Sequence, residues 1–277
     1  MRSLEQIREW PVRHAAAAVV TVDGGTASEG EVDRVFPLAS VTKPLVAYAV
    51  LVAVEEGAVE LDQPAGPPGA TVRHLLAHAS GLAFDTTDVQ AAPGARRIYS
   101  SAGFEVLAGF VTEQTGIAFE EYLRDAVFQP LGMTASVLAG PAGHAGRSTA
   151  ADLTRFAAEL LDPQLISVQT HSEATSVQFP GLNGVLPGYG SQRPNDWGLG
   201  VEIRDGKTPH WTGGTNSPRT YGHFGQSGTF LWVDPIAGVA CLALSDENFG
   251  DWARAAWPPF SDAVIAEAKA ARNTIAK

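Results

Sequence analysis

The sequence predicts an α+β fold of the α/β-sandwich type, in which an antiparallel sheet built from both ends of the chain is flanked by helices and carries an inserted all-helical lobe. Three observations lead to this class. Strand-like runs occupy residues 15–36 and 197–245, apolar residues recur every three or four positions across residues 71–161, and a helical stretch closes the chain. Strands at the two ends therefore have to find partners in one sheet around a helical middle.

Length and composition predict one module. The 277 residues, of which 45% are hydrophobic, suffice to bury a large core. We expect a single catalytic module over residues 1–277, with an α/β lobe formed by approximately 1–56 and 195–277 and a helical lobe formed by approximately 57–194.

The net charge limits the classes of partner, and the N-terminal segment indicates the cellular location. A formal net charge of −11 repels phosphate backbones and anionic lipids, so we expect no nucleic-acid or membrane partner and favour a small molecule or peptide. The segment MRSLEQIREWPVRH is charged throughout and predicts a surface helix, not a signal peptide. The apolar run AAAAVV that follows is too short to span a bilayer, which favours a cytoplasmic location.

The first elements after that helix are two strands and a buried helix. HAAAAVVTVDGG and the segment around EVDRVF predict short strands joined by a glycine-rich turn. A helix is expected to begin at Ser40, because Pro44 lacks an N–H and is tolerated only in a first turn. Gly57 is the expected C-cap. The intervening PLVAYAVLVAV is apolar on nearly every face, which predicts a helix inside the fold.

The remaining elements divide into a helical middle and a strand-rich end. Apolar spacing and terminal Gly or Pro predict helices in TVRHLLAHASGL, SAGFEVLAGFVTEQTG, FEEYLRDAVFQPLG and STAADLTRFAAELLD. From about residue 197 the period changes, and WGLGVEI, YGHFGQSGTFLWV and GVACLALSD predict strands, the last two joined by the turn DPIAG. SDAVIAEAKAARN predicts the terminal helix.

The stretch FPLASVTKPL places Ser40 three residues before Lys43 at the predicted helix start. Residues three apart on a helix share a face, with about 5–6 Å between Cβ atoms, so the hydroxyl and the amine can touch. A serine hydroxyl is a weak nucleophile and needs a neighbour to take its proton. Apolar surroundings disfavour the ammonium form of Lys43, which can then act as a base or as a tuning charge. An N-capping serine with a snorkelling lysine is the alternative interpretation.

Three short motifs, SVTK at 40–43, YSS at 99–101 and HFG at 223–225, occur in this order along the chain. Together they resemble the serine β-lactamase and penicillin-binding protein superfamily, in the branch of class C β-lactamases, D,D-peptidases and related esterases. The flanking RHLLAHASGL, PGARRIYSSAGFEVLAG and GTFLWVDPIAG resemble the same branch, and the likeness covers roughly residues 30 to 245. The resemblance implies a β-lactamase/transpeptidase-like fold and a serine hydrolase.

The resemblance also implies a role for each motif residue. Ser40 would carry the acyl group, Tyr99 would be the favoured base and Lys43 its partner. An adjacent ammonium is expected to lower the pKa of the Tyr99 phenol, so that it can move a proton between Ser40 and the leaving group.

The strand facing the serine supplies the substrate-binding candidates. Backbone N–H groups of Ser40 and Gln226 are expected to hold the oxyanion. His223 stands where many members carry lysine, and we expect it to donate a hydrogen bond to a substrate oxygen. Gly225 is expected to leave room for substrate along the strand edge. Ser101 replaces the usual asparagine and loses the amide that would contact Lys43 and a substrate carbonyl.

Each candidate has a structural alternative. Tyr99 can pack beneath a loop, His223 can fill a strand position, and Ser101 can be the N-cap of the helix that follows. His74 and His78 have the i, i+4 spacing of a zinc pair, but RHLLAH lacks the glutamate of HExxH, so no metal or other cofactor is predicted.

Other conspicuous residues receive structural interpretations. Arg96 and Arg97 are expected on a solvated loop, where either can meet an anionic substrate. Cys241, the only cysteine, is interpreted as a small buried hydrophobe, so no disulfide within the chain is possible. No role is assigned to the tryptophans near the strands, Trp197, Trp211 and Trp232.

The predicted function is that of a serine hydrolase that acylates Ser40. A carboxylesterase or small amidase is favoured, because the strand lysine and the asparagine are replaced and no secretion signal is visible. A β-lactamase or D-amino-acid-specific peptidase is the alternative, and a non-catalytic binding module with the same fold is a further one. The expected partner is a small-molecule ester, amide or peptide substrate, and the oligomeric state is left open.

Overall fold

The computed structural model describes residues 1–275, and it contains one dominant sheet with helices on both faces. Its strands are β1 (Ala15–Thr21), β2 (Thr26–Gly30), β3 (Phe36–Pro37), β4 (Val137–Leu138), β5 (Gly146–Ser148), β6 (Gly184–Leu186), β7 (Gly190–Gln192), β8 (Glu202–Ile203), β9 (Tyr221–Gly225), β10 (Thr229–Asp234) and β11 (Val239–Ser245). Its α-helices are α1 (Thr42–Glu55), α2 (Val72–Leu76), α3 (Ala102–Thr115), α4 (Phe119–Leu123), α5 (Ala150–Leu161), α6 (Val168–Ala174) and α7 (Asp251–Ile275). Short 3-10 helices cover Arg2–Glu9 and Ala39–Val41, and a π-helical turn, Arg124–Phe128, extends α4.

The main sheet is six-stranded and antiparallel throughout, in the order β2-β1-β11-β10-β9-β8. Its centre joins the two ends of the chain, because β1 pairs with β11 from Ala15 opposite Ser245 to Thr21 opposite Val239. The predicted α+β class, with a sheet from both ends and helices inserted between them, is confirmed.

Alternating side chains of β1 supply two separate hydrophobic cores. Ala16, Ala18 and Val20 face the inserted helices, where α1, α3 and α5 pack. Ala17 and Val19 face the opposite side, which α7 and the N-terminal 3-10 helix cover. Burial on both faces explains why β1 and β11 read as continuous apolar runs and not as an alternating pattern.

The central helix α1 lies inside the first core over most of its length. Every position from Thr42 to Ala53 is buried, as its apolar sequence predicts. The helix begins two residues later than expected, because Ser40 lies in the preceding 3-10 turn. Gly57 follows the C-cap Glu56 and adopts the left-handed φ of 73° that ends many helices.

Several predicted elements have different bounds in the structure. EVDRVF is mostly turn, and the second strand is the preceding TASEG, which pairs with β1 as an edge strand. In TVRHLLAHASGL only Val72–Leu76 is helical. The strand in WGLGVEI is only Glu202–Ile203. The terminal helix starts ten residues earlier than expected, at Asp251, and runs through Pro258 and Pro259.

Among residues 1–275, no helix has both the length and the apolar character needed to cross a membrane.

Candidate active site

Ser40 lies at the junction of a strand segment and the buried helix α1. Ala39 before it adopts a left-handed φ of 45°, which turns the chain sharply into the helix. Ser40 lines a cavity of about 160 Å³ together with His223 of β9. A hydroxyl held at a tight turn before a rigid helix is well placed for nucleophilic attack.

Lys43 is fully buried, and its Nζ makes three contacts. It donates to Ser40 Oγ at 3.3 Å, to Ser101 Oγ at 3.1 Å and to the Gly143 carbonyl at 2.8 Å. All three acceptors are uncharged, so nothing adjacent compensates for the loss of water. Burial therefore lowers the pKa of Lys43 to about 7, although the more distant carboxylate of Glu105 opposes the shift.

Gly143 and Glu105 form a relay behind Lys43 that the sequence did not reveal. Glu105 Oε1 accepts from the Gly143 N–H at 2.7 Å, while the Gly143 carbonyl accepts from Lys43. A Cβ on Gly143 would lie 2.9 Å from the Cβ of Ser101, so only glycine fits this approach. One glycine residue, through its N–H on one side and its carbonyl on the other, thus separates the carboxylate from the ammonium.

Ser101 holds the lysine and does not cap a helix. It occupies the N-cap position of α3, but its side chain makes no capping hydrogen bond. Its Oγ instead faces Lys43 Nζ at 3.1 Å. The serine therefore keeps the lysine contact that the replaced asparagine was expected to supply.

Tyr99 lies above Lys43, with the lysine Nζ 4.6 Å from the ring centroid. Burial raises the pKa of the Tyr99 hydroxyl, and contact with Ser40 opposes this only in part. The expectation that the ammonium lowers the phenol pKa is therefore wrong, because removal of the hydroxyl from water outweighs the nearby charge. Tyr99 is a phenol, not a phenolate, in the resting site.

His223 is a neutral acceptor toward Tyr99. Its Nδ1 lies 2.7 Å from the Phe224 carbonyl, which can only accept, so Nδ1 carries the proton. Its bare Nε2 then accepts from the Tyr99 hydroxyl at 3.3 Å. Burial, with a contribution from Lys43, lowers the pKa of His223 to about 3. The expected donation from His223 to a substrate oxygen is therefore not available from the neutral ring.

Gly225 and Gln226 end the strand beside Ser40. A Cβ on Gly225 would lie 2.3 Å from the Leu38 carbonyl, so this glycine lets the strand approach the segment before Ser40. The expected free space for substrate is thus occupied by backbone. Gln226 lines the cavity, and its side chain donates to the Phe249 carbonyl at 3.3 Å.

The cavity walls are mostly apolar. It is lined by Ser40, Phe84, Tyr99, Leu186, Pro187, Trp197, Glu202, His223, Phe224 and Gln226. A second cavity of about 330 Å³ adjoins it and shares Phe84, Tyr99 and Pro187 with it. Together they can admit a small molecule with an apolar part.

Glu202 lines this cavity but belongs to a separate buried charge cluster. Its carboxylate accepts from Lys207 Nζ at 2.9 Å, from His210 Nε2 at 3.0 Å and from the Trp211 indole at 2.5 Å. Burial alone would raise the pKa of Glu202, but Lys207 and His210 hold it below its usual range. One acidic residue in WGLGVEI was the only sequence signal for this cluster.

Arg96 and Arg97 are adjacent in sequence but lie in different environments. Arg96 is exposed as expected, but Arg97 is only 2% exposed and donates to carbonyls of Ala77, Gln178 and Asn195. The solvated-loop interpretation is therefore wrong for Arg97.

His74 and His78 share no helix, because α2 ends at Leu76, so the spacing of a zinc pair is not realised.

Cys241 lies where the sequence predicted, and the three tryptophans without an assigned role lie in two different places. Cys241 is buried, and burial raises the pKa of its thiol, as expected for an inert hydrophobe. Trp211 and Trp232 lie in the second core. Trp197 instead lines the Ser40 cavity, a role the sequence left open.

Comparison with known proteins gives one family match over most of the chain and a similar solved structure. The family model described as Beta-lactamase matches residues 4–264. A crystal structure of a β-lactamase from Mycobacterium bovis is 59% identical, with a TM-score of 0.95, over 96% of this chain and 99% of that one.

Two curated relatives are more distant. An Escherichia coli O157:H7 protein described as a candidate D-alanyl-D-alanine carboxypeptidase is 24% identical over 58% of this chain. Esterase EstB from Burkholderia gladioli is 31% identical over 36% of this chain. The matches span 47% and 38% of these two proteins, so the chain covers less than half the length of each.

Proposed function

This chain belongs to the β-lactamase family of serine hydrolases, and on that premise we propose that it hydrolyses carboxylic esters or small amides through an acyl-enzyme on Ser40. One observation carries the proposal. Lys43 Nζ lies 3.3 Å from Ser40 Oγ and has a pKa of about 7, so much of it is neutral near physiological pH. A base with a pKa near the working pH is the effective kind.

Acylation begins when Ser40 Oγ attacks the acyl carbon of the substrate. The proton of the hydroxyl passes to the neutral Nζ of Lys43, which becomes an ammonium. The bond to the leaving group then breaks, and the leaving oxygen or nitrogen takes the proton of the Tyr99 hydroxyl. The resulting tyrosinate is stabilised by the new ammonium, whose Nζ lies 4.6 Å from the ring centroid.

Deacylation returns both protons. Water attacks the acyl-enzyme and gives one proton to the Tyr99 oxygen, which restores the phenol. The tetrahedral intermediate collapses, the acid leaves, and Ser40 Oγ recovers its proton from Lys43. Tyr99 is thus the base of this step, whereas Lys43 takes the Ser40 proton that the resemblance would give to Tyr99.

The developing oxyanion needs donors in place before the reaction. The backbone N–H groups of Ser40 and of Gln226, both in residues that line the cavity, are the candidates. One such donor contributes about 3 kcal/mol to lowering the barrier in well-studied hydrolases.

The residues that line the Ser40 cavity itself favour esters over β-lactams, because the formal charge among them is the Glu202 carboxylate. A β-lactam or a D-amino-acid peptide carries a carboxylate that needs a cation. His223, which stands where many relatives have lysine, has a pKa of about 3 and is neutral. Uncharged esters and amides with an apolar acyl part suit the mostly apolar walls better.

The second candidate is turnover of β-lactams or D-amino-acid peptides. The 59% identity to a protein described as a β-lactamase favours it. A binding module without turnover is a third, and it predicts no covalent adduct at all.

Three proteins separate these candidates: wild type, Ser40→Ala and the control Ser28→Ala, whose serine is exposed on the edge strand β2. Hydrolysis of p-nitrophenyl acetate and of nitrocefin is measured for each, and a fluorophosphonate adduct is mapped by mass. We expect ester turnover to dominate, the adduct to lie on Ser40, and Ser40→Ala to lose at least about 10³-fold in kcat/KM. Dominant nitrocefin turnover would select the second candidate, and no adduct or one elsewhere would refute the mechanism.

A further inference from the structure

We propose that His78 is the positioning residue for Tyr99, holding the phenol where it can protonate the leaving group. This inference rests on the proposed function, because it assigns His78 a role through the proton donor of that reaction. His78 is 1% exposed and is not among the residues that line the Ser40 cavity.

The backbone on both sides of Tyr99 is tied to His78. The Ile98 N–H donates to the His78 carbonyl at 2.9 Å, and the Ser100 N–H donates to His78 Nδ1 at 3.1 Å. The two bonds clamp the residues immediately before and after Tyr99. One residue therefore sets the path of the chain through this position.

The imidazole ring also packs directly on the phenol. Its centroid lies 4.6 Å from that of Tyr99, 4.6 Å from that of Trp197 and 5.4 Å from that of Phe104. His78 reaches this place from a left-handed backbone with φ 56°, which is uncommon in residues other than glycine, although histidine adopts it more often than most. Such a conformation persists only where surrounding contacts enforce it.

The hydrogen bonds define the tautomer of His78. Because Nδ1 accepts from Ser100, the single proton of the neutral ring is on Nε2. Within the described chain this Nε2 has no hydrogen-bond partner, and the ring as a whole lies among those of Tyr99, Trp197 and Phe104. Nε2 therefore has no hydrogen-bonded group that can take its proton, and the contribution of the ring is its position.

Tyr99 therefore lies between two histidines of opposite tautomer. His78 protonates Nε2 and holds the backbone and ring face of the tyrosine. His223 protonates Nδ1 and accepts from the hydroxyl. The first determines where the phenol lies, and the second determines where its proton points. A displacement of about 1 Å at such a group can cost about 10²-fold in rate.

The test compares esters that differ in their need for a proton. A p-nitrophenolate leaves without protonation, whereas an alkoxide requires it. For His78→Leu we expect kcat/KM to fall about 10²-fold for an alkyl ester and less than about 5-fold for the matching p-nitrophenyl ester. Tyr99→Phe should give the same asymmetry. His78→Asn should restore the alkyl ester activity to within about 5-fold of wild type, because its amide oxygen can accept from Ser100 and asparagine tolerates φ > 0.

The control is His171→Leu, which removes a half-buried histidine that contacts Tyr221 and lines a different cavity. It should change both esters equally. Equal losses on both esters in His78→Leu, or wild-type activity in His78→Leu beside an inactive Tyr99→Phe, would overturn the positioning role. An activity that survives Ser40→Ala would instead overturn the proposed function.

A measurement on the unaltered protein covers the case in which His78→Leu does not fold. Nitrogen-15 NMR of the wild type should show His78 with a protonated Nε2 and a bare Nδ1, and His223 with the reverse. A His78 signal with the proton on Nδ1, or a doubly protonated ring at neutral pH, would refute the clamp on Ser100 and with it the inference.

Discussion

Lys43 and Lys207 are both buried, and their surroundings differ in one respect. Lys207 Nζ contacts the Glu202 carboxylate at 2.9 Å and two carbonyls, those of Asp196 at 2.7 Å and Ile203 at 2.6 Å. Lys43 Nζ contacts two hydroxyls and one carbonyl. Burial lowers the pKa of both lysines, but only Lys207 has an adjacent carboxylate to oppose it.

The difference shows how one fold places one buried lysine beside a carboxylate and keeps the other apart from one. The carboxylate of Glu105 is present near Lys43, but the residue Gly143 lies between them. Moving an acid back by one residue weakens its attraction for the ammonium while the lysine keeps its hydrogen-bond acceptors. Lys43 can therefore titrate near neutral pH, whereas Lys207 stays in an ion pair.

The largest expected effect comes from Lys43→Met. If Lys43 takes the proton of Ser40, kcat/KM for ester hydrolysis should fall by at least about 10³-fold with the fold intact. Steady-state kinetics and circular dichroism check this together. Retention of more than a tenth of the activity would show that another group is the base.

The same variant also tests the lysine's pKa through stability. The folded-state pKa is depressed from 10.5 to about 7, so between these pH values the unfolded chain binds more protons than the folded one. The free energy of unfolding of wild type should therefore rise relative to Lys43→Met as the pH rises from 7 to 10. A pH-independent difference would contradict the depressed pKa.

For Lys207→Met we expect a large loss of stability and little loss of activity. Removing one partner of a buried ion pair leaves the Glu202 charge uncompensated, which should lower the free energy of unfolding by about 3–5 kcal/mol. The folded fraction should keep kcat/KM within about 5-fold of wild type. Urea unfolding measures the free energy of unfolding, and active-site titration corrects kcat/KM for the folded fraction. A large loss of kcat/KM without destabilisation would show that the two lysines serve the reaction alike.

The smallest effect is expected for Glu105→Gln, which preserves the acceptor for Gly143 and removes the charge. In wild type, kcat/KM should rise with pH through about 7, because neutral Lys43 is the active form. Loss of the carboxylate removes a contribution that raises the lysine's pKa, so this rise should shift to lower pH by a fraction of a unit. A shift to higher pH would refute the relay.

The sequence predicted the fold class well, because the fold class depends on local patterns of apolar residues. Apolar runs marked β1, α1 and β11, and the stretches SVTK, YSS and HFG indicated three segments that the fold brings to one cavity. The chemical state of those residues was less predictable. Burial raises the pKa of Tyr99, where a lowered pKa was expected. His223 is neutral and accepts a hydrogen bond, where donation was expected. Both outcomes depend on burial, which is a property of the tertiary structure.

The residues that were missed act through partners far along the chain. Gly143 contacts Lys43, and Arg97 donates to carbonyls of three different segments, which no spacing rule can reveal. The start of α7 was missed because Pro258 and Pro259 normally end a helix. Here Trp257 and Phe260 pack fully buried against the sheet, and this packing outweighs the lost hydrogen bonds.

The pairing of β1 with β11 also has a consequence for biosynthesis. During translation β1 emerges early, but its central partner emerges only after nearly the whole chain has been made. His223 and Gln226 follow Ser40 by a similar delay, so a nascent chain carries its serine without the opposite wall of the cavity. On the proposed mechanism we therefore expect Ser40 to be unreactive in the nascent chain until the last strands complete the sheet.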